Sequence, residues 1–205
     1  MSGPTNHLVV FARTPRLGQV KSRLAADIGA VAAWSFCWHN TGALINRLAF
    51  DPRWSCRLAV TPDRDASATF WPGGLPSMGQ GRGDLGERMG RVLRGLPPGP
   101  AAIVGTDIPG ILPRHIAKAF RALGRNDAVF GPAADGGYWL VGLKRSPRMA
   151  EIFDDVRWGT GHALADTLAN TEGLSVALTD TLADIDDGEA YARWRRGKFP
   201  TPYAP

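Results

Sequence analysis

The feature that most constrains the fold is the alternation of short apolar runs with segments of helical periodicity. Residues 7–12 (HLVVFA) form a β-branched run that ends at Thr14-Pro15, and residues 57–61 (RLAVT) form a second such run. Between them, residues 31–50 carry apolar side chains at helical spacing. Short apolar runs bounded by turn residues predict buried strands, and the intervening pattern predicts a crossover helix. The order indicates a βαβ unit with parallel strands.

The same alternation continues to the end of the chain. Further strands are predicted at residues 101–104, 128–130, 138–143 and 175–178, and further helices at 84–96, 113–123, 148–153, 162–170 and 189–196. Asp84 with Glu87 three positions later forms a capping box, and Pro113 opens another helix. The Pro- and Gly-rich residues 71–83 are predicted to form a mobile loop.

These elements predict an α/β fold with a doubly wound, mixed but mostly parallel sheet and flanking helices. A length of 205 residues is typical of one domain, which we take to span residues 1–205. The two cysteines, Cys37 and Cys56, have no metal-ligand spacing and are expected to be reduced thiols. The start of the chain lacks a secretory signal and no run is long enough for a membrane span, so a cytoplasmic protein is expected.

A cationic loop follows the first predicted strand. Its four basic side chains are Arg13, Arg16, Lys21 and Arg23. Gly18 permits a tight turn within the loop, and the loop ends at a predicted helix N-terminus, where backbone N–H groups favour an anion. Guanidinium and ammonium groups add donors for phosphate oxygens. The loop is therefore a candidate phosphate site, with a solvated basic loop as the alternative. It matches neither the Walker A pattern nor GxGxxG.

Two later loops also follow predicted strands. Asp107, in Gly-Thr-Asp-Ile-Pro, could hold a hard divalent cation that bridges phosphate oxygens, or it could simply cap a turn. Asp135, in Ala-Asp-Gly-Gly-Tyr, could accept hydrogen bonds from substrate hydroxyls, and Gly136 and Gly137 permit close backbone approach. A plain hairpin turn explains Asp-Gly equally well.

Taken in order, six segments resemble the bacterial family DUF2064. They are RTPRLGQVKSRLA, QGRGDLGERM, GTDIPG, DGGYWLVGL, WGT and DIDDGE, spread over residues 7–191. That family is grouped with the GT-A glycosyltransferases, and it is similar to the guanylyltransferases that act on phospholactate and to the molybdenum-cofactor nucleotidyltransferases. The resemblance implies a nucleotide-diphospho-sugar-transferase fold that uses a divalent cation, Mg²⁺ or Mn²⁺.

The resemblance also assigns residues. Arg13, Gly18, Lys21, Ser22 and Arg23 would form the nucleotide and phosphate loop. Asp107 would bind the metal, with Asp184 or Asp186 as a second acidic ligand. The acceptor or sugar would lie near Asp135, Gly136, Gly137, Tyr138 and Trp158. The chain departs from the family in having Arg13 for Lys, Ser22 for Thr, and Glu189-Ala190 for a Glu-Asp pair next to the carboxyl-terminal acids.

Three functions follow from this. The first is a metal-dependent glycosyltransferase that consumes a nucleotide-sugar and releases a nucleoside diphosphate. The second is a nucleotidyltransferase that joins a nucleoside monophosphate to a phosphorylated small-molecule acceptor and releases pyrophosphate; the single strand-end carboxylate, Asp107 without Asp-x-Asp, favours this branch. The third is a non-catalytic nucleotide-binding protein. The basic balance, a net charge of +5, suits such anionic ligands, whereas no basic-aromatic pattern favours nucleic acid. The sequence identifies no catalytic base, and the four histidines are expected to be structural or surface residues.

Overall fold

A seven-stranded sheet forms the centre of the protein in a computed structural model, which describes residues 5–72 and 74–197. Its strands are β1 (His7–Arg13), β2 (Ser55–Thr61), β3 (Ser77–Gly79), β4 (Ala101–Val104), β5 (Ala128–Pro132), β6 (Tyr138–Leu143) and β7 (Val176–Leu178). Their order in the sheet is β3-β2-β1-β4-β6-β5-β7. Only β6 runs antiparallel to its neighbours, so the predicted mixed and mostly parallel sheet is confirmed.

The helices connect these strands across both faces of the sheet. They are α1 (Ser22–Ile28), α2 (Ala30–Ala49), α3 (Leu85–Arg94), α4 (Pro113–Leu123), α5 (Ala163–Ala169) and α6 (Gly188–Arg195). The predicted capping box of α3 is confirmed: the Glu87 N–H donates to Asp84 Oδ1 and the Asp84 N–H donates to Glu87 Oε2, each at 2.8 Å. A cap of this kind stabilises a helix by about 1 kcal/mol.

Side chains of β1 alternate between two apolar layers. Leu8 and Val10 pack in a layer with residues of α2 and α4, whereas Val9 packs on the opposite face with α3. All three are fully buried. Burial of each such side chain stabilises the fold by about 1.5–3 kcal/mol, which is why these β-branched and leucine residues specify a central strand. Arg13, two and four positions beyond Phe11 and Val9, therefore lies on the α3 face of β1.

The reversal of β6 brings the start of that strand to the edge where the parallel strands end. Val104, the last residue of β4, pairs with Leu140, and Pro132 at the end of β5 pairs with Tyr138. The carboxyl ends of β1, β2 and β4 and the amino end of β6 consequently share one edge of the sheet. Ligands of open α/β folds bind at this edge.

Two predictions of local structure are wrong. Residues 148–153 form no helix: Ile152 and Phe153 are buried in the α3-side layer as irregular chain. The segment 71–83 is not wholly a loop, since Ser77–Gly79 pairs in parallel with β2. Both segments take their structure from distant contacts, which local periodicity does not reveal.

The two thiols are free, as predicted: Cys56 is buried and Cys37 is half-buried. No helix within the described residues is long and apolar enough to traverse a lipid bilayer.

Candidate functional site

A cavity of about 820 Å³ opens at the edge where β1, β2 and β4 end. The loop after β1 and the middle of α2 form one wall, and the beginning of α3 forms another. Arg13, Lys21 and Asp107 line the cavity, together with Asp186 from the segment before α6. The fold thus brings the first predicted loop, the strand-end acid Asp107 and one carboxyl-terminal acid, Asp186, to one opening.

Lys21 stands between two carboxylates. Its Nζ lies 2.6 Å from Asp186 Oδ1 and 3.3 Å from Asp107 Oδ1. The Lys21 backbone is left-handed, with φ 36° and ψ 69°, a conformation that costs a side-chain-bearing residue about 1–2 kcal/mol. Gly18, with φ +74°, supplies the turn before it. The loop therefore holds this lysine in a strained backbone that directs its ammonium group toward both acids.

The charges of this cluster reinforce one another. Burial opposes the charge of Lys21, but the Asp107 and Asp186 carboxylates outweigh it, so the pKa of the ammonium is raised. Burial likewise opposes the charge of Asp186, but the Lys21 ammonium and the Arg23 guanidinium hold the pKa of its carboxyl below the ordinary value. Arg23 Nη2 lies 2.9 Å from Asp186 Oδ2, with 78% of its own side chain exposed. Lys21, at 10% exposure, is the interior partner.

Asp184 carries the opposite shift. Burial, followed by the negative charges of Asp186 and Asp135, raises the pKa of Asp184 to about 6. Burial is the larger cause, and the two neighbouring carboxylates add negative charge at the same place. This is the environment that a cation would relieve.

The remaining residues of the first loop do not all lie near the acids that contact Lys21. Arg16 pairs with Asp65 at 3.0 Å, away from the acids near Lys21. Arg13 lies on the α3 face of β1, and Ser22 is the exposed first residue of α1. Because α1 has only seven residues, the positive charge of this region comes mainly from side chains and not from the helix dipole. Of the predicted phosphate residues, the structure brings only Lys21 and Arg23 to the acids.

A second cavity, of about 310 Å³, adjoins the first. Asp135, Gly137, Tyr138 and Trp158 line it, as do Asp184 and Asp186. The Tyr138 and Trp158 rings meet edge to face at 6.3 Å between centroids. Asp135 Oδ1 accepts a 2.9 Å hydrogen bond from the Gly137 N–H, which fixes one carboxylate oxygen.

Gly136 lies close to the backbone of another segment of the protein and lines neither of the two cavities. Its φ is +86°, and a Cβ at this position would lie 2.2 Å from the Gly161 carbonyl oxygen. The glycine therefore allows the β5–β6 turn to pack against the segment before α5, while Gly137 reaches the cavity.

The acidic side chains suit a divalent cation. Asp107, Asp184 and Asp186 line the second cavity and offer only oxygen, the donor that Mg²⁺ and Mn²⁺ prefer. Within residues 5–72 and 74–197, no three His, Cys, Asp or Glu side chains are arranged to hold a metal ion by themselves. Mg²⁺ is commonly held by one or two carboxylates with substrate phosphates and water, so this donor set fits a cation that arrives with a phosphorylated ligand.

Gln80 and Arg88 also line the larger cavity, although no role was predicted for either. Gln80 follows β3 and is 1% exposed, and Arg88 lies on α3. Both belong to the segment QGRGDLGERM, but a glutamine after an unrecognised strand and an arginine on a capped helix are usually surface residues. The pairing of β3 with β2 brings Gln80 to the site, and the packing of α3 against the sheet brings Arg88 there.

Comparisons with known proteins agree with this architecture. The model of the DUF2064 family, described as an uncharacterized protein conserved in bacteria, matches residues 44–160, more than half of the chain. A protein from Desulfovibrio desulfuricans G20, provisionally named a nucleotide-diphospho-sugar transferase, is 26% identical; the match covers 89% of this chain and 82% of that one, with a TM-score of 0.79. No curated protein sequence gives a significant match.

Two more distant structures share the fold. CMP:2-keto-3-deoxy-manno-octonic acid synthetase complexed with CTP is 10% identical, with a TM-score of 0.57 over 94% of this chain and 97% of that chain. Glucosyl-3-phosphoglycerate synthase from Mycobacterium tuberculosis, in complex with Mn²⁺, UDP and glucosyl-3-phosphoglycerate, is 11% identical, with a TM-score of 0.55 over 89% and 71%. From the family match and the shared architecture, we conclude that the chain belongs to the DUF2064 family and has the fold of the nucleotide-diphospho-sugar transferases.

Proposed function

We propose that this protein is a transferase that uses a divalent cation and a nucleotide-diphospho-sugar donor. The observation that carries the proposal is the junction of the two cavities. Asp107 and Asp186 line both cavities, with Tyr138 and Trp139 beside them. A nucleotide-sugar has the matching three-part form, in which a diphosphate joins a nucleoside to a sugar.

Each part of the site suits one part of such a donor. The larger cavity has room for the nucleoside, and Lys21 and Arg23 at the junction offer donors to the diphosphate. The smaller cavity has Asp135 to accept hydrogen bonds from sugar hydroxyls and the rings of Tyr138 and Trp158 to pack on a sugar face. The predicted phosphate and sugar residues thus take different positions along one ligand.

In the proposed reaction, the bond between the sugar's anomeric carbon and the diphosphate oxygen breaks as an acceptor oxygen bonds to that carbon. The electron pair of the broken bond leaves on the nucleoside diphosphate, and the acceptor releases a proton. Lys21 and Arg23 would stabilise the developing charge on the leaving diphosphate. A divalent cation held by Asp107 and Asp186 would supply further neutralisation of the same oxygens.

The comparisons support this assignment in two ways. The Desulfovibrio relative, at 26% identity, carries a nucleotide-diphospho-sugar transferase name. The mycobacterial synthase with the same fold is seen with Mn²⁺ and UDP.

A nucleotidyltransferase is the second candidate. One observation favours it: the end of β4 supplies the single carboxylate Asp107, and the second comes from Asp186, far along the chain. In that reaction an acceptor phosphate oxygen would attack the α-phosphorus of a nucleoside triphosphate, and pyrophosphate would leave. The same cations would serve, so the leaving group distinguishes the two reactions.

Isothermal titration with matched ligands tests the proposal. Nucleoside diphosphates and their sugar conjugates would be titrated with Mn²⁺ present, followed by the corresponding triphosphates. We expect one conjugate to bind more tightly than its parent diphosphate, and that conjugate to be hydrolysed slowly with water as acceptor. If no conjugate exceeds its diphosphate while a triphosphate binds tightly, the nucleotidyltransferase takes its place. Tight conjugate binding without hydrolysis or transfer would indicate a binding protein.

Asp135→Asn tests the sugar contact. Asparagine keeps an oxygen to accept from the Gly137 N–H, as Asp135 does at 2.9 Å, but it loses the charge that strengthens hydrogen bonds to sugar hydroxyls. The variant should reduce the extra affinity of the conjugate while leaving diphosphate affinity unchanged.

A further inference from the structure

A pair of arginines faces the larger cavity from the α3 side of the sheet. Arg13 ends β1 on the face that packs against α3, and Arg88 projects from α3. Both line the cavity. Their positive charges are close enough that Arg13 contributes to lowering the pKa of Arg88, after burial as the main cause.

Buried hydrogen bonds fix the position of Arg88. Gln80 Nε2 donates to the carbonyl oxygens of Ala12 and Ala59, each at 3.0 Å, which ties its carboxamide to β1 and β2. The amide is thereby oriented with Oε1 toward Arg88, whose Nη1 donates to it at 2.8 Å. Arg88 Nε donates to the Asp84 carbonyl oxygen at 3.1 Å. Among the described residues, Arg88 Nη2 has no acceptor.

Within residues 5–72 and 74–197, neither arginine has a counter-ion in direct contact. In the described part of the chain, no carboxylate lies within 4 Å of the Arg13 or Arg88 guanidinium, unlike Lys21 with its two acids. The charges of Asp84 and Asp63 act on Arg88 from further away. Asp84 is engaged in capping α3, and Asp63 Oδ1 accepts from the Gly81 N–H at 3.0 Å. Arg91, the third nearby cation, donates to the Gln80 carbonyl oxygen.

Arg13 is exposed and Arg88 is half-buried. A bound oxyanion would neutralise both charges and would give Arg88 Nη2 the acceptor that it lacks among the described residues. We propose that Arg13 and Arg88 form a second oxyanion subsite, positioned by Gln80, that binds a phosphate or carboxylate group of a ligand without a divalent cation. The subsite deepens the proposed function and rests on the larger cavity being the ligand pocket. It implies that a substrate carries an anionic group in addition to the one bound at Lys21 and the acids.

Titration with inorganic phosphate in the presence of EDTA tests the subsite apart from nucleotide chemistry. The wild-type protein should bind phosphate, and Arg13→Gln and Arg88→Gln should each weaken that binding at least about tenfold, because a hydrogen bond to a charged group is lost. Acetate in place of phosphate distinguishes a carboxylate site, which would bind both, from one selective for phosphate. Either result supports an oxyanion subsite, provided that the arginine variants weaken the binding to that extent.

Two variants serve as controls. Arg82→Gln removes an exposed cation from the same segment and should leave phosphate affinity unchanged. Lys21→Ala should also retain phosphate binding while losing Mn²⁺-dependent nucleotide affinity. Absence of phosphate binding, retention of it in Arg88→Gln, or its loss in Lys21→Ala would overturn the second subsite. If no nucleotide-sugar binds but phosphate binding still depends on Arg88, the donor assignment is overturned and the oxyanion subsite stands.

Gln80→Glu tests the positioning role. Glutamate would give Arg88 the carboxylate partner that it lacks, so phosphate affinity should fall although both arginines remain. Circular dichroism would verify that the variant is folded. If it is not folded, Arg88→Gln still tests whether the subsite binds phosphate. Unchanged phosphate affinity in a folded Gln80→Glu protein would show that Gln80 does not position the subsite.

Discussion

Lys21 Nζ donates a 2.6 Å hydrogen bond to Asp186 Oδ1, although the two residues are 165 positions apart in the chain. The bond joins the first loop of the fold to the segment before its last helix. Since Lys21 is nearly buried, this contact fixes the mouth of the cavity and its electrostatics together. A ligand phosphate that binds the Lys21 ammonium would have to compete with the Asp186 carboxylate. A cation bound to the carboxylates would weaken that competition and so favour the phosphate.

Lys21→Ala should weaken the binding of a nucleoside diphosphate by about 1.5–3 kcal/mol, the range for a hydrogen bond to a charged group. Arg23→Ala should have a smaller effect, about 0.2–1 kcal/mol, because its side chain is 78% exposed. Isothermal titration measures both. Arg193→Ala, which breaks a 2.9 Å pair with Glu189 on α6, is the control. Equal affinities in Lys21→Ala and wild type would remove Lys21 from the site.

Asp107→Asn should abolish the dependence of nucleotide binding on divalent cations. The amide preserves the size of the side chain but removes the charge that a hard cation needs. Nucleotide affinity would be measured with Mn²⁺ and with EDTA. Asp51→Asn, whose carboxylate pairs with Arg53, is a control that lines neither described cavity. An undiminished effect of Mn²⁺ in Asp107→Asn would make Asp107 a turn residue.

Gly136→Ala should lower the free energy of unfolding by at least about 1–2 kcal/mol from the left-handed backbone alone. The added Cβ would also collide with the Gly161 carbonyl oxygen. Urea unfolding measures the loss. Gly110→Ala is the matched control: no atom lies within 4 Å of a Cβ there, so its effect should stay within about 0.5 kcal/mol. Similar stabilities for the two variants would contradict the packing described for the turn.

His115 should make the protein less stable in mild acid. Burial, aided by the charge of Arg114, lowers the pKa of His115, and its Nδ1 accepts a 3.2 Å hydrogen bond from the Leu112 N–H. The unfolded chain therefore takes up the proton first as pH falls below about 6.5, and stability decreases until the folded-state pKa is passed. Above pH 6.5 the full contribution is present.

Unfolding free energies of wild type and His115→Asn at pH 7.5 and 5.5 measure this effect. Asparagine can accept from the Leu112 N–H but does not titrate, so the variant should lose less stability between the two pH values. Above pH 7.5 the two proteins should differ by a constant amount. An identical loss at pH 5.5 would assign the acid sensitivity elsewhere, His7 being the other buried histidine whose pKa is lowered.

Local sequence predicted those elements whose signals are local. Residues 101–104, 113–123 and 138–143 have the predicted bounds because an apolar run, a Pro at the first helical turn and a glycine turn mark them. The segment 148–153 has helix-like spacing at Met149, Ile152 and Phe153, yet six residues are too few to nucleate a helix without tertiary support. Its apolar side chains instead pack directly into the α3-side layer.

Individual residues of the site could be predicted from the sequence, but their contacts with one another could not. Lys21 and Asp107 stand in loops after apolar strands, and Arg23 is in the first turn of the helix that follows Lys21, where an α/β fold places its ligands. Their meeting with Asp186 could be indicated by the family resemblance but not by spacing, because the contact spans nearly the whole chain. The position of Gln80 depends on the pairing of the three-residue strand β3 with Leu58–Val60, which no local pattern marks. The position of Arg88 depends on the packing of α3 against the sheet.

The turn between β5 and β6 also restricts how this chain can change in length. Trp139 packs in the α2 and α4 layer and donates from Nε1 to the Asp180 carbonyl oxygen, whereas Tyr138 packs on the opposite face. Neighbouring residues of a strand alternate between faces, so losing or gaining one turn residue would exchange the indole and the phenol unless the ladder re-registered. Natural variants of this protein should therefore differ in length outside this turn. The number of residues in the turn is fixed because the two aromatic rings must stay on opposite faces of the sheet.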